Sequence, residues 1–285
     1  MKRSRVVYTL AYVVAIALAL GVALLTRAAL GPIGSAIAGG GAATLLLYAT
    51  GLLFRNSGFY DVYWSVFPPL AAAAWCTAYG AWSSPRALAA FGMATLWGGR
   101  LTLNWATHWE GLAHEDWRYV DLRKKTGRLY WLASFGALHV FPFALVTLGS
   151  LPLAAAIQSK DPFGALDAVA VAVNVVAVLL ETIADLQLHA YRRANHPRDQ
   201  FLQTGLWAYS RHPNYCGEVL AWWSFAILGL AADPKPWLVL GAAGVTGMVV
   251  GASIPMAEAR ALAKRPAFAD YQRRVSRLIP WFPKK

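Results

Sequence analysis

The chain has 285 residues, of which 58% are hydrophobic and only 14% are charged. That composition is too apolar for an ordinary soluble domain and predicts an integral membrane protein. The net charge of +12 does not indicate a nucleic-acid partner, because the basic residues are dispersed along the chain instead of being gathered on one soluble face.

Eight apolar stretches follow one another along the chain. Most have about the 20 residues that a membrane-spanning helix needs, and their continuous apolar character does not fit the alternating strands of a barrel. The sequence therefore predicts an all-α fold, a polytopic transmembrane bundle of about 7–8 helices. The stretches are 6–25, 33–54, 60–82, 87–107, 131–157, 165–188, 217–232 and 237–257.

The basic residues predict the orientation of this bundle, since Lys and Arg concentrate in cytoplasmic loops. With the N-terminus inside, only Arg27, Arg86, Lys160 and Lys235 fall in the opposite connections, and Arg100 lies within a span. The other basic residues all fall on one side. The sequence thus predicts that both termini are cytoplasmic, and a bacterial inner membrane is the expected location.

The first two stretches carry little polar chemistry. Residues 1–57 are therefore interpreted as accessory N-terminal spans, and residues 58–285 as the core of a single integral membrane domain. The glycines between 31 and 41 suit close helix packing in lipid. The first apolar run is long for a signal peptide and is expected to be a retained helix.

Polar chemistry begins at the third stretch, where Asp61 and Tyr63 enter an apolar segment. One interpretation is an interfacial aromatic belt with Asp61 among lipid headgroups. The other is a proton donor within a pocket. In the fourth stretch Arg100 and Asn104 lie four residues apart on one helical face, with Thr107 on the same side. An arginine within a span calls for a ligand or a buried acid.

The loop after the fourth stretch is rich in charge. Its basic residues Lys124 and Lys125 suit contact with anionic lipid. His114, Glu115 and Asp116 resemble metal ligands in type, but three adjacent residues without further ligands make a weak pattern, and no metal site is predicted. Glu115 or Asp116 is expected to pair with Arg118 or Arg123 and fold this loop over a cofactor.

A polar stripe marks the end of the sixth stretch. Glu181, Asp185 and Arg192 fall within a narrow sector of one helical face. The stripe can pair with Arg100 to hold the bundle together. Alternatively, its carboxylates hold ribose hydroxyls and a carboxamide, while the planar guanidinium of Arg192 takes a phosphate.

A compact polar segment, 205–218, lies between two long apolar stretches and includes the run from Ser210 to Glu218. Such a run is costly beside a membrane unless its groups have partners, and a bound polar ligand is one. The basic tail that follows the last apolar stretch is interpreted as an amphipathic helix at the membrane surface, with Trp281 at the interface and Pro280 and Pro283 ending it.

Taken together, these motifs resemble the steroid 5α-reductase superfamily, particularly its bacterial members of undefined substrate. The resemblance covers about residue 58 to the C-terminus. A shorter core, Arg-His-Pro-x-Tyr-x-Gly, also looks like membrane methyltransferases of the isoprenylcysteine and phospholipid type. The matching segments are Glu181–Asp185, His114–Arg118, Ser210–Glu218 and Ile279–Trp281.

The resemblance implies a helical bundle that holds NADPH in a cytoplasm-facing cavity and reduces a carbon–carbon double bond conjugated to a carbonyl. It implies two groups of cofactor contacts. The residues that match best or lie near the family's positions are Arg100, Asn104, Asp185, Arg192, Asn214 and Glu218. Further candidates from the same motifs are Arg211, His212, Tyr215, Arg260 and Arg274.

The chain departs from the animal steroid reductases at the substrate end. Those enzymes use a Gln-Glu pair and a Tyr to grip the steroid carbonyl, whereas Asp61-Val62-Tyr63-Trp64 stands here and Trp97 takes roughly the place of the Tyr. We therefore expect Asp61 or Tyr63 to be the catalytic acid, acting on a lipophilic enone that need not be a steroid.

Three function classes follow. The first is an NADPH-dependent enone reductase whose partners are its lipophilic substrate and membrane lipid, with no obligate protein partner. The second is an S-adenosylmethionine-dependent membrane methyltransferase, and the third a non-enzymatic lipid-binding or transport protein. The polar stripe favours a phosphate-bearing dinucleotide. A transporter would more naturally show inverted repeats or broken helices at corresponding places in two halves, and the sequence shows neither pattern.

Overall fold

The computed structural model describes residues 2–194, 196–197 and 199–284. Two of the basic residues predicted to face the cytoplasm, Arg198 and Lys285, lie outside these ranges. The described residues are almost entirely helical and contain no β-strand, apart from an isolated parallel bridge between Ser210 and Ser276. The predicted all-α class is confirmed.

Five helical runs among the described residues are long and apolar enough to cross a membrane, by length and composition. This finding confirms the helical membrane bundle in outline. The helices that cover the predicted stretches 60–82 and 87–107 are not among the five. The five runs are Arg3–Phe54, Trp117–Gln158, Ala165–Arg193, Pro213–Ala232 and Pro236–Lys264.

The chain divides into two compact units, Met1–Pro162 and Phe163–Lys285, called unit 1 and unit 2 below. The boundary that the sequence suggested, between residues 57 and 58, falls inside unit 1. Unit 1 contains the helices α1 (Lys2–Phe54), α2 (Tyr63–Ala78), α3 (Pro85–His108), α4 (Trp117–Thr126), α5 (Tyr130–Ser134) and α6 (Phe141–Gln158).

Helix α1 comprises two predicted spans joined at a break. Gly31 has φ 66° and ψ 179°, outside the helical region, and Pro32 follows it without a backbone donor. The two halves pack so closely that a Cβ on Gly39 would come within 2.3 Å of the Ala19 carbonyl oxygen. Close packing through small residues, expected from the glycines in this region, is thus confirmed at Gly39.

Unit 2 is built on the packing of two long helices. Its helices are α7 (Ala165–Arg193), α8 (Pro213–Ala232), α9 (Leu240–Met248), α10 (Ile254–Lys264) and α11 (Phe268–Arg274). A Cβ on Gly217 in α8 would meet the Glu181 Cγ at 2.4 Å and the Ala177 carbonyl oxygen at 2.7 Å, both in α7. Gly217 therefore sets how closely α7 and α8 approach.

Beyond Arg274 the tail differs from the surface helix that the sequence predicted. Helix α11 ends at Arg274, and Val275 is extended, with φ −105° and ψ 138°. Residues 275–284, called the C-terminal strap below, lie along the polar segment that precedes α8. Arg211 N donates to the Ser276 carbonyl oxygen (2.9 Å) and Trp281 N to the Tyr209 carbonyl oxygen (2.9 Å). These backbone bonds explain why the strap is extended instead of helical.

Candidate functional site

The first of two polar clusters lies in unit 1, around the short 3₁₀ turn Ser57–Tyr60 between α1 and α2. Asn56 begins the turn, and its Oδ1 accepts a hydrogen bond from Gly58 N at 2.7 Å. Asp61 follows the turn directly and lies two residues before Tyr63, the first residue of α2. The capped turn fixes the backbone on the N-terminal side of Asp61, and this defines the direction of the Asp61 carboxylate.

The carboxylate of Asp61 is hydrogen bonded to Tyr119 of α4, whose hydroxyl donates to Oδ1. Burial raises the pKa of Asp61 from an ordinary 3.8 to about 7, against the lowering influences of the Tyr119 hydrogen bond and the Arg118 charge. Asp61 therefore carries a proton in a substantial fraction of molecules at neutral pH, as a general acid requires.

The loop before α4 is tied to the same turn. Asn56 Nδ2 donates to the carbonyl oxygens of Leu112 (2.8 Å) and His114 (3.1 Å). Ser57 N donates to Glu115 Oε1 at 2.9 Å. These bonds bring Tyr119, which lies four residues beyond Glu115, to Asp61. We call Asn56, Ser57, Asp61, Glu115 and Tyr119 the unit 1 cluster.

The ion pairs predicted for this loop are confirmed. Arg123 Nη2 lies 3.0 Å from Glu115 Oε1, and Arg118 Nε lies 2.8 Å from Asp116 Oδ1. Asp116 also begins α4, since its Oδ1 accepts the hydrogen bond of Arg118 N. The pairs account for the folded shape of the loop, while its place over a cofactor stays a prediction.

Tyr63, the other residue predicted to be the acid, is almost fully buried at the start of α2. Its hydroxyl donates to the Gly40 carbonyl oxygen at 3.2 Å, and its ring lies beside those of Tyr60 and Phe67. The Tyr63 hydroxyl is thus hydrogen bonded to the backbone of α1, an arrangement that favours Asp61 as the acid.

Helix α1 contributes to the same cluster, although its residues were interpreted as accessory. Tyr8 donates to the Gly58 carbonyl oxygen at 3.0 Å, and Tyr12 donates to that of Phe59 at 2.8 Å. The ring of Tyr8 stacks on the rings of both Tyr12 and Phe59. The N-terminal helix therefore holds the turn that carries Asp61.

Arg100 and Asn104 lie on α3 of unit 1, and both side chains are partly buried. The helix packs tightly on α2 at this level, because a Cβ on Gly98 would come within 2.3 Å of the Ser65 carbonyl oxygen. Thr102 on α3 is hydrogen bonded to Ser65 on α2, with 2.9 Å between the two hydroxyl oxygens. The predicted roles of Arg100 and Asn104 as cofactor contacts stay predictions.

One contact in unit 2 joins two of the predicted cofactor residues. Asn214, at the start of α8, donates from Nδ2 to Asp185 Oδ1 on α7 at 3.2 Å. Asn214 Oδ1 accepts a hydrogen bond from Tyr215 N at 3.0 Å. The carboxylate and the amide thus lie side by side where the polar segment meets α7, while their roles as cofactor contacts stay predictions.

The predicted residues Arg211 and His212 share one carboxylate, which belongs to Glu258 on α10. Arg211 Nε lies 2.7 Å from Glu258 Oε1, and His212 Nε2 lies 3.0 Å from the same oxygen. Gln272 of α11 donates to Glu258 Oε2 at 2.7 Å. We call Arg211, His212, Glu258 and Gln272 the unit 2 cluster.

Arg211 also fixes the chain that leads into the C-terminal strap. Its Nη1 donates to the carbonyl oxygens of Gln272 (2.6 Å) and Val275 (2.7 Å). Ser210 Oγ donates to the Leu278 carbonyl oxygen at 2.6 Å. The side chains of the Arg-His core therefore have hydrogen-bond partners within unit 2, independently of any ligand.

The remaining predicted contacts differ in exposure. Glu218 is buried on α8 and accepts a hydrogen bond from Trp222 Nε1 at 2.8 Å. The ring of Tyr215 lies nearly parallel to that of His212, with an angle of 9° between the planes. Arg260 on α10 is partly buried, whereas Arg192 at the end of α7 and Arg274 at the end of α11 are exposed.

Several residues in or beside these clusters were not identified from the sequence as site residues, among them Tyr8, Tyr119 and Glu258. Each of these three binds a group 46 to 58 residues away along the chain. Two of them stand in segments that the sequence singled out, since Tyr119 belongs to the charged loop and Glu258 to the start of the tail. Their residue types were noticeable, but no local pattern indicated their partners.

Comparison with known proteins gives one curated relative, an uncharacterised protein of Schizosaccharomyces pombe. It is 30% identical over 212 residues, which are 66% of this chain and 61% of the relative. The chain thus spans less than two thirds of the length of the relative that it matches. No solved structure matches the chain.

A family model matches residues 47–275, a range that includes both polar clusters. The model is described as a protein of unknown function, DUF1295, and the family consists of membrane proteins that resemble steroid 5α-reductases. The match leaves out most of α1 and the greater part of the C-terminal strap. Since it covers well over half of the residues, the chain belongs to the DUF1295 family of steroid 5α-reductase-like membrane proteins.

Proposed function

We propose that the protein is a membrane-embedded, NADPH-dependent reductase that reduces the carbon–carbon double bond of a lipophilic enone. The substrate class is a 3-oxo-Δ4-steroid or another isoprenoid or lipid enone. The observation that carries the proposal is the hydrogen bond of 3.2 Å between Asn214 and Asp185. It joins two residues, predicted separately as cofactor contacts, that are 29 positions apart in the chain.

The chemistry of these residues fits a dinucleotide. A carboxylate such as that of Asp185 accepts hydrogen bonds from ribose hydroxyls and a carboxamide, and Asn214 Nδ2 has a second hydrogen to donate. The exposed guanidinium of Arg192 suits a phosphate. NADPH, when bound, supplies a hydride for the β-carbon of the enone. Arg100, Asn104, Tyr215, Glu218, Arg260 and Arg274 are further proposed contacts.

Asp61 is the proposed acid. Negative charge develops on the carbonyl oxygen of an enone when its β-carbon accepts a hydride, so a donor aimed at that oxygen lowers the barrier. A carboxyl group that keeps its proton near neutral pH is such a donor, and the pKa of Asp61 is about 7. Tyr119 is placed to hold the carboxyl group in one orientation through its hydroxyl.

The motif core shared with membrane methyltransferases does not distinguish the two reactions. Arg211 and His212 contact Glu258 inside unit 2, so their presence is explained by folding in either kind of enzyme. Asp185 lies outside that shared core and favours the reductase. The two reactions are therefore distinguished by whether the protein binds NADPH or S-adenosylmethionine.

The test is thermal unfolding of the detergent-purified protein with NADPH, NADH or S-adenosylmethionine. A ligand that binds the folded state alone stabilises it by about 2.7 kcal/mol at 100 times its dissociation constant. We expect NADPH to raise the unfolding midpoint and S-adenosylmethionine to leave it unchanged. The reverse result would replace the reductase with the methyltransferase, and no shift with any of the three would favour a non-enzymatic lipid-binding protein.

A further inference from the structure

Glu258 on α10 is the acceptor on which the unit 2 cluster is built. Its Oε1 lies 2.7 Å from Arg211 Nε and 3.0 Å from His212 Nε2, and its Oε2 lies 2.7 Å from Gln272 Nε2. Arg211, His212 and Glu258 are all more than nine-tenths buried. Since donors from three other positions meet this one carboxylate, its place is fixed by the fold.

This arrangement determines which nitrogen of His212 carries a hydrogen. A carboxylate oxygen only accepts hydrogen bonds, so the Nε2 that faces Glu258 must be the donor. In the neutral imidazole Nδ1 is then the nitrogen left to accept a hydrogen bond, and no described residue is hydrogen bonded to it. The ring is also held in plane by the nearly parallel ring of Tyr215, 5.5 Å away between centroids.

His212 stands beside the proposed nucleotide contacts. It precedes the first residue of α8, and Asn214, two residues later, is the side chain bonded to Asp185. A ring nitrogen that can only accept suits a hydroxyl or amide hydrogen, whereas it does not suit a phosphate oxygen. His212 thus offers an acceptor two residues before Asn214, whose amide has a hydrogen to donate.

We propose that Glu258 is a positioning residue that holds His212 through Nε2, so that Nδ1 accepts a hydrogen bond from a hydroxyl or amide hydrogen of the bound dinucleotide. This inference rests on the proposed function, because it names a contact within the nucleotide site. It assigns different tasks to the two ring nitrogens. The Nε2 side is structural, and the Nδ1 side binds the ligand.

Two substitutions separate these tasks. The amide of a glutamine reaches about as far as Nε2 of a histidine, and the amide of an asparagine about as far as Nδ1. His212→Gln is expected to keep the bond to Glu258 and hence the unfolding midpoint, while its NADPH affinity falls about three- to tenfold for the lost hydrogen bond. His212→Asn is expected to lower the midpoint but to bind NADPH more tightly than His212→Gln.

Unfolding midpoints and NADPH titrations of both variants, with the wild type and the exposed His114→Gln as controls, decide the matter. A purely structural His212 predicts that His212→Gln binds NADPH as the wild type does, and that result would overturn the inference. It would leave the reductase standing, because the wild type still binds NADPH. Failure of the wild type itself to bind NADPH would overturn both proposals.

Nitrogen-15 spectra of the histidine-labelled wild type provide a second measurement. The signal of His212, identified by its disappearance in His212→Asn, should show a protonated Nε2 and an unprotonated Nδ1. Addition of NADPH should shift the Nδ1 signal. An unprotonated Nε2, or an Nδ1 signal that saturating NADPH does not move, would contradict the assignment.

Discussion

The central carboxylates of the two polar clusters differ in the hydrogen-bond donors that surround them. In unit 1, Asp61 accepts a hydrogen bond from the neutral hydroxyl of Tyr119, and its pKa lies near 7. In unit 2, Glu258 is met by a guanidinium, an imidazole and an amide. A carboxylate with one neutral donor can hold and release a proton, whereas one saturated by donors is fixed in place.

Under the proposed function, the unit 1 cluster carries the chemistry and the unit 2 cluster positions a ligand-binding residue. This division of roles also corrects a view based on motif strength alone. The Arg-His core is the most noticeable motif of the sequence, yet its side chains are bound to α10 and to the segment leading into the C-terminal strap. The carboxyl group proposed to act on the substrate stands in a short turn with no strong motif.

The largest effect is expected from Asp61→Asn, which removes the acid but keeps the shape of the side chain. Loss of a general acid costs about 10²–10⁴-fold in turnover. Enone reduction by the purified variant should fall by that factor, with NADPH affinity unchanged. Tyr63→Phe is the matched control and should retain turnover. If Tyr63→Phe abolishes turnover and Asp61→Asn does not, the roles of the two residues are exchanged.

The same carboxyl group predicts a pH dependence. The wild-type rate should fall as pH rises through about 7, because Asp61 loses the proton that the reaction needs. The folded state also binds this proton more tightly than the unfolded chain, so the contribution of Asp61 to stability is full below about pH 4 and is lost as pH rises through 7. Neither trend should remain in Asp61→Asn.

The second effect tests the structural role of the unit 2 cluster. Arg211→Met leaves Glu258 without its guanidinium and two backbone carbonyls without their donor. Breaking a buried ion pair costs about 3–5 kcal/mol, so the unfolding midpoint should drop sharply. Arg273→Met, at an exposed ion pair with Asp270, should change it little. Equal midpoints in the two variants would contradict the assignment of a positioning role.

A smaller effect is expected where α7 meets α8. In Gly217→Ala the added Cβ would lie 2.4 Å from the Glu181 Cγ and 2.7 Å from the Ala177 carbonyl oxygen. Overpacking of this kind costs about 1–3 kcal/mol and should lower both the unfolding midpoint and NADPH affinity. Gly247→Ala on α9 is the control, since nothing lies within 4 Å of its Cβ position. If the unfolding midpoint of Gly217→Ala is as high as that of the control, α7 and α8 can move apart without cost, and Gly217 does not set their distance.

The smallest effect sharpens the description of Asp61. The hydrogen bond from Tyr119 lowers the pKa of Asp61, so Tyr119→Phe should move the fall in rate to higher pH while leaving turnover at low pH nearly intact. The measurement is the pH profile of the two proteins side by side. A shift to lower pH would mean that Tyr119 acts on Asp61 in another way.

The sequence predicted the helices better than the clusters, for a physical reason. Apolar length is a local property, so the stretch 165–188 is found within α7, Ala165–Arg193. Pairing between oppositely charged residues close in the chain is local as well, since the ion pair of Glu115 with Arg123 spans only eight residues. The bonds of Tyr8 to Gly58, Tyr119 to Asp61 and His212 to Glu258 join distant segments, and nothing in a local pattern specifies them.

The same limit explains the tail. Its charges and aromatic residues suggested a surface helix, but Ser210, Arg211 and Tyr209 offer backbone and side-chain partners that an extended chain can reach. Tertiary hydrogen bonds outweighed the helical pattern beyond Arg274. The start of α2 also differs from the predicted stretch, which began at residue 60. Asn56 caps a separate turn there, so that α2 begins only at Tyr63.

The contacts from α11 and the C-terminal strap also determine when the polar segment before α8, and with it the proposed nucleotide site, can be completed during synthesis of the protein. Ser210 and Arg211 take their partners from positions 272 to 278, more than 60 residues later in translation. The polar segment therefore leaves the ribosome well before the residues that fix it. Until those residues follow, α7 and α8 can be paired in the membrane while the motif before α8 still lacks its final geometry.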